Sequence, residues 1–281
     1  MSGDAVTFGD RLVELAGKRV GRLCVGIDPH AALLKAWGLG VDVAGLRTFT
    51  QICVEAFKDT AALVKPQVAF YEAFGSQGFA VLEHAIADLR DAGALVVADA
   101  KRGDIGSTMA GYAAAWLDDS SPLCSDAVTV SPFLGYHSLD PVLEVAEATG
   151  RGVFVLAATS NPEGRQVQDT LNPRGVSTSQ MMVDCAADSN ASHGEQGSVG
   201  NVGVVVGATL DNPPALDRLN GPILMPGVGA QGGSARDVAR IAGDCAHLVF
   251  PNISRGILKH GPDVEALRTA VAQAAGDFPV A

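Results

Sequence analysis

The chain has 281 residues, of which 47% are hydrophobic and 18% are charged, and its formal net charge is −11. This length and hydrophobic share allow one large core, of a size that barrels of alternating strands and helices often reach as one domain. The acidic balance argues against general binding to nucleic acid or to anionic membranes. In addition, no apolar run approaches the ~18 residues needed to cross a bilayer.

Apolar runs typical of buried strands alternate with helical patterns along the whole chain. The predicted strands span residues 23–28, 63–69, 94–100, 126–131, 153–159, 202–208, 223–229 and 248–254. The predicted helices span 43–60, 76–92, 107–117, 138–149, 177–192, 213–219, 234–243 and 262–275, and a further helix at 8–17 is expected to close one end. Eight strand–helix repeats predict an α/β fold, a (β/α)₈ TIM barrel. An open doubly wound sheet is the alternative, but it rarely repeats eight such units without a topological switch.

One region departs from this regular alternation. Residues 160–201 are rich in Asn, Ser, Gly, Pro and Gln, and the part before the predicted helix is long for a plain connection. Because long loops often carry function, we expect a lid-like segment here. We find no domain boundary, and residues 1–281 are predicted to form a single barrel domain.

The third predicted strand ends in a dense run of charge. Strand alternation puts Asp99 and Lys101 on one face, Gly103 breaks the strand, and Asp104 lies on the loop into the next helix. Lys65 ends another apolar strand. Such charges are costly to gather in an apolar setting, so the pattern indicates a site that brings a carboxylate and an ammonium to a substrate. A purely structural ion-pair network is the alternative.

Polar residues also follow the other predicted strands. In a (β/α)₈ barrel the carboxyl ends of all strands meet at one mouth, where the active site lies. Each residue alone is weak evidence, and their shared placement at strand ends is the signal. We expect a site built from Asp28, Lys65, Asp99, Lys101, Ser131, Ser160, Gln231 and Arg255.

A glycine-rich loop follows the seventh predicted strand. Residues 226–233 read Pro-Gly-Val-Gly-Ala-Gln-Gly-Gly and formally match G-x-G-x-x-G. The motif comes late in the chain, with no room for a second dinucleotide-binding half, so it suits a single phosphate held by backbone N–H groups and a helix N-terminus. The guanidinium of Arg255, after the eighth strand, matches phosphate oxygens. A phosphate monoester substrate is predicted, and a tight turn beside a surface arginine is the alternative.

Metal binding receives little support from the sequence. The six histidines form neither HxxxH nor HExxH. A Mg²⁺ ion held by Asp99 and another carboxylate is an alternative, but Lys65 and Lys101 in the same mouth would repel a cation. We expect no metal ion and no cofactor.

The five cysteines are scattered and form no CxxC motif. They are expected to be buried thiols in a reducing compartment. The first residues also lack the basic region and apolar run of a signal peptide. A cytoplasmic location is therefore predicted.

The run from Asp99 to Thr108 resembles a known signature. Asp99-x-Lys101-x-x-Asp104-Ile105-x-x-Thr108 is similar to the DxKxxDIxxT motif of the orotidine 5′-phosphate decarboxylase family. The likeness covers nearly the whole chain, and the pattern is similar to the longer bacterial branch of the family. The lid role of the lengthened segment 160–201 is not carried over to individual residues. Further motifs of the family lie at 26–29, 64–67, 70–72, 159–162 and 226–233.

The DxKxxD core by itself is less specific than the full signature. It is shared by related phosphosugar barrels, such as 3-keto-gulonate-phosphate decarboxylase and hexulose-phosphate synthase, which use Mg²⁺. Those relatives lack a lysine on the second strand, so Lys65 favours the orotidylate interpretation.

The resemblance implies a cofactor-free enzyme that converts orotidine 5′-phosphate into UMP, the last step of de novo pyrimidine nucleotide synthesis. Lys101 would stabilise the carbanion formed at C6 and donate a proton to it. Asp99 would lie near the substrate carboxylate, and Lys65 and Asp104 would hold the row of charges in place.

The resemblance also implies how the substrate is bound. Asp28 and Lys65 would contact the ribose, and Ser160 the pyrimidine. Gln231 and Arg255 would contact the phosphate.

A homodimer is implied as well, in which Asp104 and Thr108 reach the site of the neighbouring subunit. Two alternatives stay open at this point. One is a Mg²⁺-dependent phosphosugar lyase on the same barrel, and the other is a barrel that binds a nucleotide without catalysis.

Overall fold

Eight parallel strands close into a barrel within residues 6–279, the range that the computed structural model of the chain describes. In chain order they are β1 (Cys24–Ile27), β2 (Leu63–Pro66), β3 (Leu95–Arg102), β4 (Ala127–Val130), β5 (Gly152–Ala158), β6 (Val202–Val206), β7 (Ile223–Pro226) and β8 (Val249–Ile253). β1 pairs in parallel with both β2 and β8, so the sheet has no free edge. Each strand begins within one residue of its predicted start, and the predicted (β/α)₈ TIM barrel is confirmed.

Helices surround this barrel. The α-helices of the described range are α1 (Phe8–Lys18), α2 (Ala31–Ala36), α3 (Val43–Phe57), α4 (Ala69–Glu72), α5 (Gly75–Asp91), α6 (Gly106–Leu117), α7 (Asp140–Thr149), α8 (Arg165–Gln168), α9 (Thr178–Ser189), α10 (Ala191–Glu195), α11 (Ala235–Ala242), α12 (Arg255–Leu258) and α13 (Val264–Ala275). Short 3₁₀ helices span Tyr136–Leu139, Pro162–Gly164 and Gly243–Leu248. None of the helices among residues 6–279 is both long enough and apolar enough to cross a membrane.

α3 illustrates why these segments are helical. The side chain of Asp42 accepts a hydrogen bond from the Gly45 N–H and so caps the start of the helix. Leu46, Phe49 and Cys53 then recur at helical spacing, and all three are fully buried. The helix therefore presents one apolar face to the barrel.

α1 closes the amino-terminal end of the barrel, as predicted. Its Phe8 and Leu12 are fully buried and cluster with inward-facing strand residues that include Leu63 and Phe154. The rings of Phe8 and Phe154 meet edge to face with centroids 5.9 Å apart. Burying a side chain of this size stabilises the fold by roughly 1.5–3 kcal/mol. This end of the barrel is thus a packed core, which leaves the opposite end for a site.

The prediction of a helix at 213–219 is wrong. Pro214 biases the backbone of Pro213 away from helical geometry, so a helix could begin only at residue 214, and the few residues that remain up to 219 are too short a stretch to form a stable helix by themselves. The backbone of residues 213–219 is held instead by two side chains, one within α9 and one directly after it. Gln180 accepts from the Ala215 N–H at 2.7 Å, and Asn190 donates to the Leu219 carbonyl at 2.9 Å. α9 itself packs on β5 and β6.

The irregular segment 160–201 is partly helical, because it contains α8, α9 and α10. The part before α9 includes a short antiparallel bridge between Leu171 and Ser177. Val167 and Leu171 in this part are exposed. Whether the segment acts as a lid stays a prediction.

Candidate active site

The carboxyl ends of the strands surround a cavity of about 350 Å³. This volume lies at the small end of the range typical of small-molecule sites. Asp104 and Thr108 do not contribute to its wall. Ser131, which was also predicted for this mouth, does not line it either. The remaining seven predicted residues do line it: Asp28, Lys65, Asp99, Lys101, Ser160, Gln231 and Arg255.

A row of three charges lies deep in the cavity. Lys65 Nζ donates to Asp99 Oδ2 at 2.8 Å, and Lys101 Nζ donates to Asp99 Oδ1 at 2.6 Å. The side chains of Lys65 and Asp99 are 5% and 10% exposed, whereas that of Lys101 is 45% exposed. The carboxylate is therefore held between two ammonium groups, of which Lys101 is the more accessible to a ligand.

The neighbouring charges control protonation in this row. Burial alone would raise the pKa of Asp99, but the ammonium groups of Lys65 and Lys101 hold that pKa well below its usual range. Burial alone would lower the pKa of Lys65, but Asp99 and Asp28 raise it above its usual value. At neutral pH the row therefore contains an ionised carboxylate beside a charged Lys65.

The end of β3 is distorted where it carries Lys101. β3 pairs with β4 at Ala98 and Val128 and next at Arg102 and Val130, so three residues of β3 face one residue of β4 in a bulge. Lys101 has φ = 48°, in the left-handed region, which costs a residue other than glycine roughly 1–3 kcal/mol. Strain of this kind persists only where the surroundings enforce it, and it is typical of functional sites.

Thr129 of β4 lies opposite this bulge. Its hydroxyl accepts a hydrogen bond from the Lys101 backbone N–H and donates one to Asp99 Oδ1, both at 2.9 Å. Thr129 is buried, with 1% exposure. Thr129 was not predicted from the sequence, because threonine, unlike asparagine, is common in strands and a single one carries no signal of function.

Other polar residues of the cavity were also missed. Gln67 Oε1 accepts from Lys65 Nζ at 3.2 Å. Since Gln67 follows Lys65 by two residues, strand alternation could have placed both on one face. Asn252 donates to the Cys24 carbonyl at 3.1 Å, and its polar character within an apolar strand was the available signal. The polar residues that line the cavity without having been predicted include Gln67, Asn161, Asn252 and Ser254.

Asp28, which follows β1, lines the cavity with an oxygen that has no partner. Its Oδ1 atom is buried and makes no hydrogen bond to any residue that the structure describes. A buried polar atom without a partner is costly. Asp28 therefore offers a free acceptor to a hydroxyl group of a ligand.

The loop after β7 and the side chain of Arg255 form another part of the cavity wall. Gly227 and Gly232 have φ values of 99° and 93°, which residues with a Cβ rarely adopt. Gln231 lies on the same loop, and its Oε1 accepts from Ser160 Oγ at 2.6 Å. Arg255 lines the cavity from the first residue of α12. The loop and the guanidinium together suit a phosphate group.

The N-terminus of α11, which was predicted to help hold an anion, is capped by its own side chains. The Ser234 hydroxyl accepts from the Asp237 N–H at 3.2 Å, and Asp237 Oδ2 accepts from the Ser234 N–H at 3.0 Å. This capping box satisfies the helix end with a carboxylate, which repels an anion. Neither residue lines the cavity. The glycine loop and Arg255 remain as the candidate phosphate contacts.

Asp104 and Thr108 lie beyond the cavity, on the surface of the chain. Asp104 Oδ1 accepts from the Ile105 N–H at 2.7 Å, and Thr108 is exposed in the first turn of α6. On the adjacent loops after β3 and β4, Ile105, Phe133 and Leu134 are 61%, 77% and 55% exposed. Large apolar side chains exposed together are typical of a protein–protein interface.

The charges of the cavity suit an anionic ligand. Both carboxylate oxygens of Asp99 are engaged by ammonium groups, and Arg255 adds a third cation. Among residues 6–279, no three His, Cys, Asp or Glu side chains are grouped so that they could hold a metal ion together.

The sequence is similar to curated proteins over nearly its whole length. A protein named orotidine 5′-phosphate decarboxylase from Corynebacterium glutamicum (strain R) is 66% identical over 274 residues, which cover 98% of each chain. The protein of the same name from Streptomyces coelicolor is 54% identical over 264 residues, which cover 94% of each chain.

Solved structures and a family model agree with this similarity. A crystal structure of a Streptomyces avermitilis protein has a TM-score of 0.93 at 53% identity, and the match covers 98% of this chain and 95% of that one. The structure of Leishmania donovani OMP decarboxylase has a TM-score of 0.73 at 29% identity, and the match covers 97% of this chain and 99% of that one. Residues 21–270 match the model of the orotidine 5′-phosphate decarboxylase / HUMPS family. The chain therefore belongs to the orotidine 5′-phosphate decarboxylase / HUMPS family.

Proposed function

We propose that the protein decarboxylates orotidine 5′-phosphate to UMP without a cofactor. The observation that carries this proposal is the Lys65–Asp99–Lys101 row, in which an ionised carboxylate and an accessible ammonium group stand side by side in one cavity. The names of the relatives at 66% and 54% identity support the same substrate.

The chemistry requires a cation at the carbon that loses CO₂. When the bond from C6 to the carboxylate breaks, CO₂ leaves and the electron pair stays on C6. No ring carbonyl is placed to delocalise this charge, so a preorganised ammonium group is needed to stabilise it. Lys101 Nζ supplies that charge and then transfers a proton to C6, which yields UMP.

Asp99 favours the same step from the other side. A substrate carboxylate about 4 Å from Asp99 would be repelled by about 4 kcal/mol at an effective dielectric near 20. The repulsion disappears as CO₂ departs, so it raises the ground state relative to the transition state. Asp99 can act in this way because Lys65 and Lys101 keep it ionised.

The rest of the cavity binds the parts of the nucleotide that do not react. Asp28, with its unpartnered oxygen, and Lys65 contact the ribose. Ser160 contacts the pyrimidine, and Gln231 and Arg255 contact the phosphate. The hydrogen bond between Ser160 and Gln231 links the start of segment 160–201 to the phosphate loop. We infer that phosphate binding closes this segment over the base, which turns remote binding energy into faster turnover.

The active form is proposed to be a homodimer with shared sites. Asp104 and Thr108 lie outside the cavity of their own chain and beside the exposed Ile105, Phe133 and Leu134. A two-fold contact through this patch would cover the apolar side chains and carry Asp104 and Thr108 toward the partner's cavity.

A cytoplasmic location is proposed from the cysteines. All five are unpaired thiols, and four of them are buried. This pattern is typical of proteins in a reducing compartment.

One assay tests the proposed reaction. Purified protein is mixed with orotidine 5′-phosphate, with and without EDTA, and the loss of orotidylate absorbance is followed. We expect the same turnover in both samples. Activity that disappears with EDTA and returns with Mg²⁺ would favour a metal-dependent lyase, and UMP binding without any turnover would favour a nucleotide-binding barrel.

A further inference from the structure

The backbone N–H of Lys101 does not follow the regular ladder between β3 and β4. The bulge separates the Ala98–Val128 pair from the Arg102–Val130 pair. Within it, the Lys101 N–H donates to a side chain, the Thr129 hydroxyl, at 2.9 Å. The neighbouring Arg102 is held by backbone pairing with Val130, whereas the N–H of Lys101 itself, at the left-handed φ of 48°, is bound through the Thr129 hydroxyl.

The same hydroxyl also fixes the acceptor that Lys101 uses. Thr129 Oγ1 donates to Asp99 Oδ1 at 2.9 Å, and Lys101 Nζ donates to that same oxygen at 2.6 Å. The three residues therefore form a closed ring from the Lys101 N–H through Thr129 and Asp99 back to the Lys101 ammonium group. Because Thr129 is 1% exposed, water does not readily replace its hydroxyl.

We propose that Thr129 is a positioning residue, whose hydroxyl holds Lys101 in its left-handed conformation and so places the ammonium group beside Asp99. This inference rests on the proposed decarboxylase function. A valine has the shape of threonine but can neither accept the Lys101 N–H nor donate to Asp99. Without those two bonds the strained backbone has no side chain to hold it, and Nζ moves from its place.

The inference is tested with three substitutions at one position. In Thr129→Val we expect kcat to fall by about 100-fold, the order of loss that a misplacement of about 1 Å causes. KM should change by less than about threefold, since the ribose and phosphate contacts are intact. Thr129→Ser keeps the hydroxyl and should stay within about threefold of wild type. Thr129→Cys, with a weaker hydrogen-bonding group, should fall between the two and serves if the valine variant does not fold.

Thr50→Val is the matched control. Thr50 is also a buried threonine, 2% exposed, and its hydroxyl bonds to the Tyr71 hydroxyl at 3.1 Å, away from the cavity. It should lower thermal stability about as much as Thr129→Val but leave kcat unchanged. Equal losses of kcat in both variants would show that Thr129 acts through stability alone and would overturn the proposal.

Crystal structures of the Thr129 variants give a readout that does not depend on turnover. In Thr129→Val we expect Lys101 to return to a negative φ and Nζ to leave Asp99, while Thr129→Ser keeps both. A valine variant that retains φ near 48° and the ion pair contradicts the proposal. If the wild type fails to decarboxylate orotidylate, the proposed function fails, and these structures still decide whether Thr129 positions Lys101.

Discussion

Lys65 and Lys101 contact the same carboxylate, but they differ in exposure, with 5% and 45% of the side chain accessible. A buried ammonium group that is paired on Asp99 can keep that carboxylate ionised but is shielded from the solvent. An accessible ammonium group, such as that of Lys101, can reach the reacting carbon and regain a proton from water after each turnover. Exposure, more than charge, therefore divides the two roles that the proposed mechanism requires.

Lys101→Ala should abolish turnover but leave nucleotide binding measurable. The ammonium group is needed where charge develops, whereas the phosphate and ribose contacts remain. We expect less than about a hundredth of wild-type kcat, the usual scale for losing a proton donor, with UMP binding still detected by calorimetry. Lys18→Ala, at an exposed lysine of α1, is the control and should match wild type. A larger residual kcat would remove Lys101 from the proposed role.

Arg255→Ala should act through the phosphate. A guanidinium that binds a phosphate contributes only when the substrate carries one, so turnover of orotidine 5′-phosphate should fall by about 100-fold or more. The slow turnover of orotidine, which has no phosphate, should hardly change. Arg218→Ala, at an exposed arginine paired with Asp188, is the control. Equal losses on both substrates would show that Arg255 contacts another group or supports the fold.

At the scale of elements, the strands were the most predictable part of the molecule. They are short apolar runs buried on both faces, and a sequence shows such runs directly. The prediction of a helix at 213–219 failed because two consecutive prolines stand at its start, and because the side chains of Gln180 and Asn190, from the preceding unit, hold this backbone in an irregular course. Packing between units is not visible in a local pattern.

The candidate site, too, was predictable from the sequence only in part. Lys65, Asp99 and Arg255 could be predicted because each comes at or just after the end of an apolar run, and the carboxyl ends of barrel strands share one mouth. The left-handed backbone of Lys101 and its bond to Thr129 could not. They depend on how β3 and β4 are paired at a bulge, which neither strand encodes alone.

Asn190, which directly follows α9, helps to join that helix to the irregular connection before β7. It is fully buried, donates to the carbonyls of Val202 and Leu219, and accepts from the Val202 N–H. Asn190→Ala leaves these backbone groups without partners, and we expect the free energy of unfolding to fall by roughly 2–3 kcal/mol. Urea denaturation measures this change. Gln180→Ala, which removes exposed bonds to Ala215, should cost less than about 1 kcal/mol. Equal losses would show that burial of the bonds does not matter.

At the scale of the whole molecule, an acidic protein has to bind an anion. The formal net charge is −11, but Lys65, Lys101 and Arg255 converge on one cavity. Local cations in a partly enclosed site outweigh distant surface carboxylates, because salt screens charges beyond about 8–10 Å. The global charge therefore governs solubility, and the local charge governs binding.

Mixing two inactive variants tests the shared site. Lys101→Ala and Asp104→Ala are combined under conditions that exchange subunits. If Asp104 serves the partner's cavity, each hybrid dimer has one doubly damaged site and one intact site. Half of the dimers are hybrids, so activity should recover to roughly a quarter of wild type. No recovery, with exchange verified by mass spectrometry, would mean that Asp104 does not act across an interface.

Phe8 and Leu12 of α1, with the strand residues that they contact, form a plug in one end of the barrel. This plug affects which parts of the protein can change during evolution. Most of the barrel separates stability from chemistry, since Phe8 and Phe154 fill one end and the cavity opens at the other. Loops at the mouth are therefore free to vary without loss of the fold. β3 is different, because Leu95 and Val97 join the plug while Asp99 and Lys101 reach the cavity. A substitution on β3 therefore risks both the stability of the fold and the chemistry of the cavity. New specificities on this scaffold should arise from the loops after the other strands, while β3 is retained.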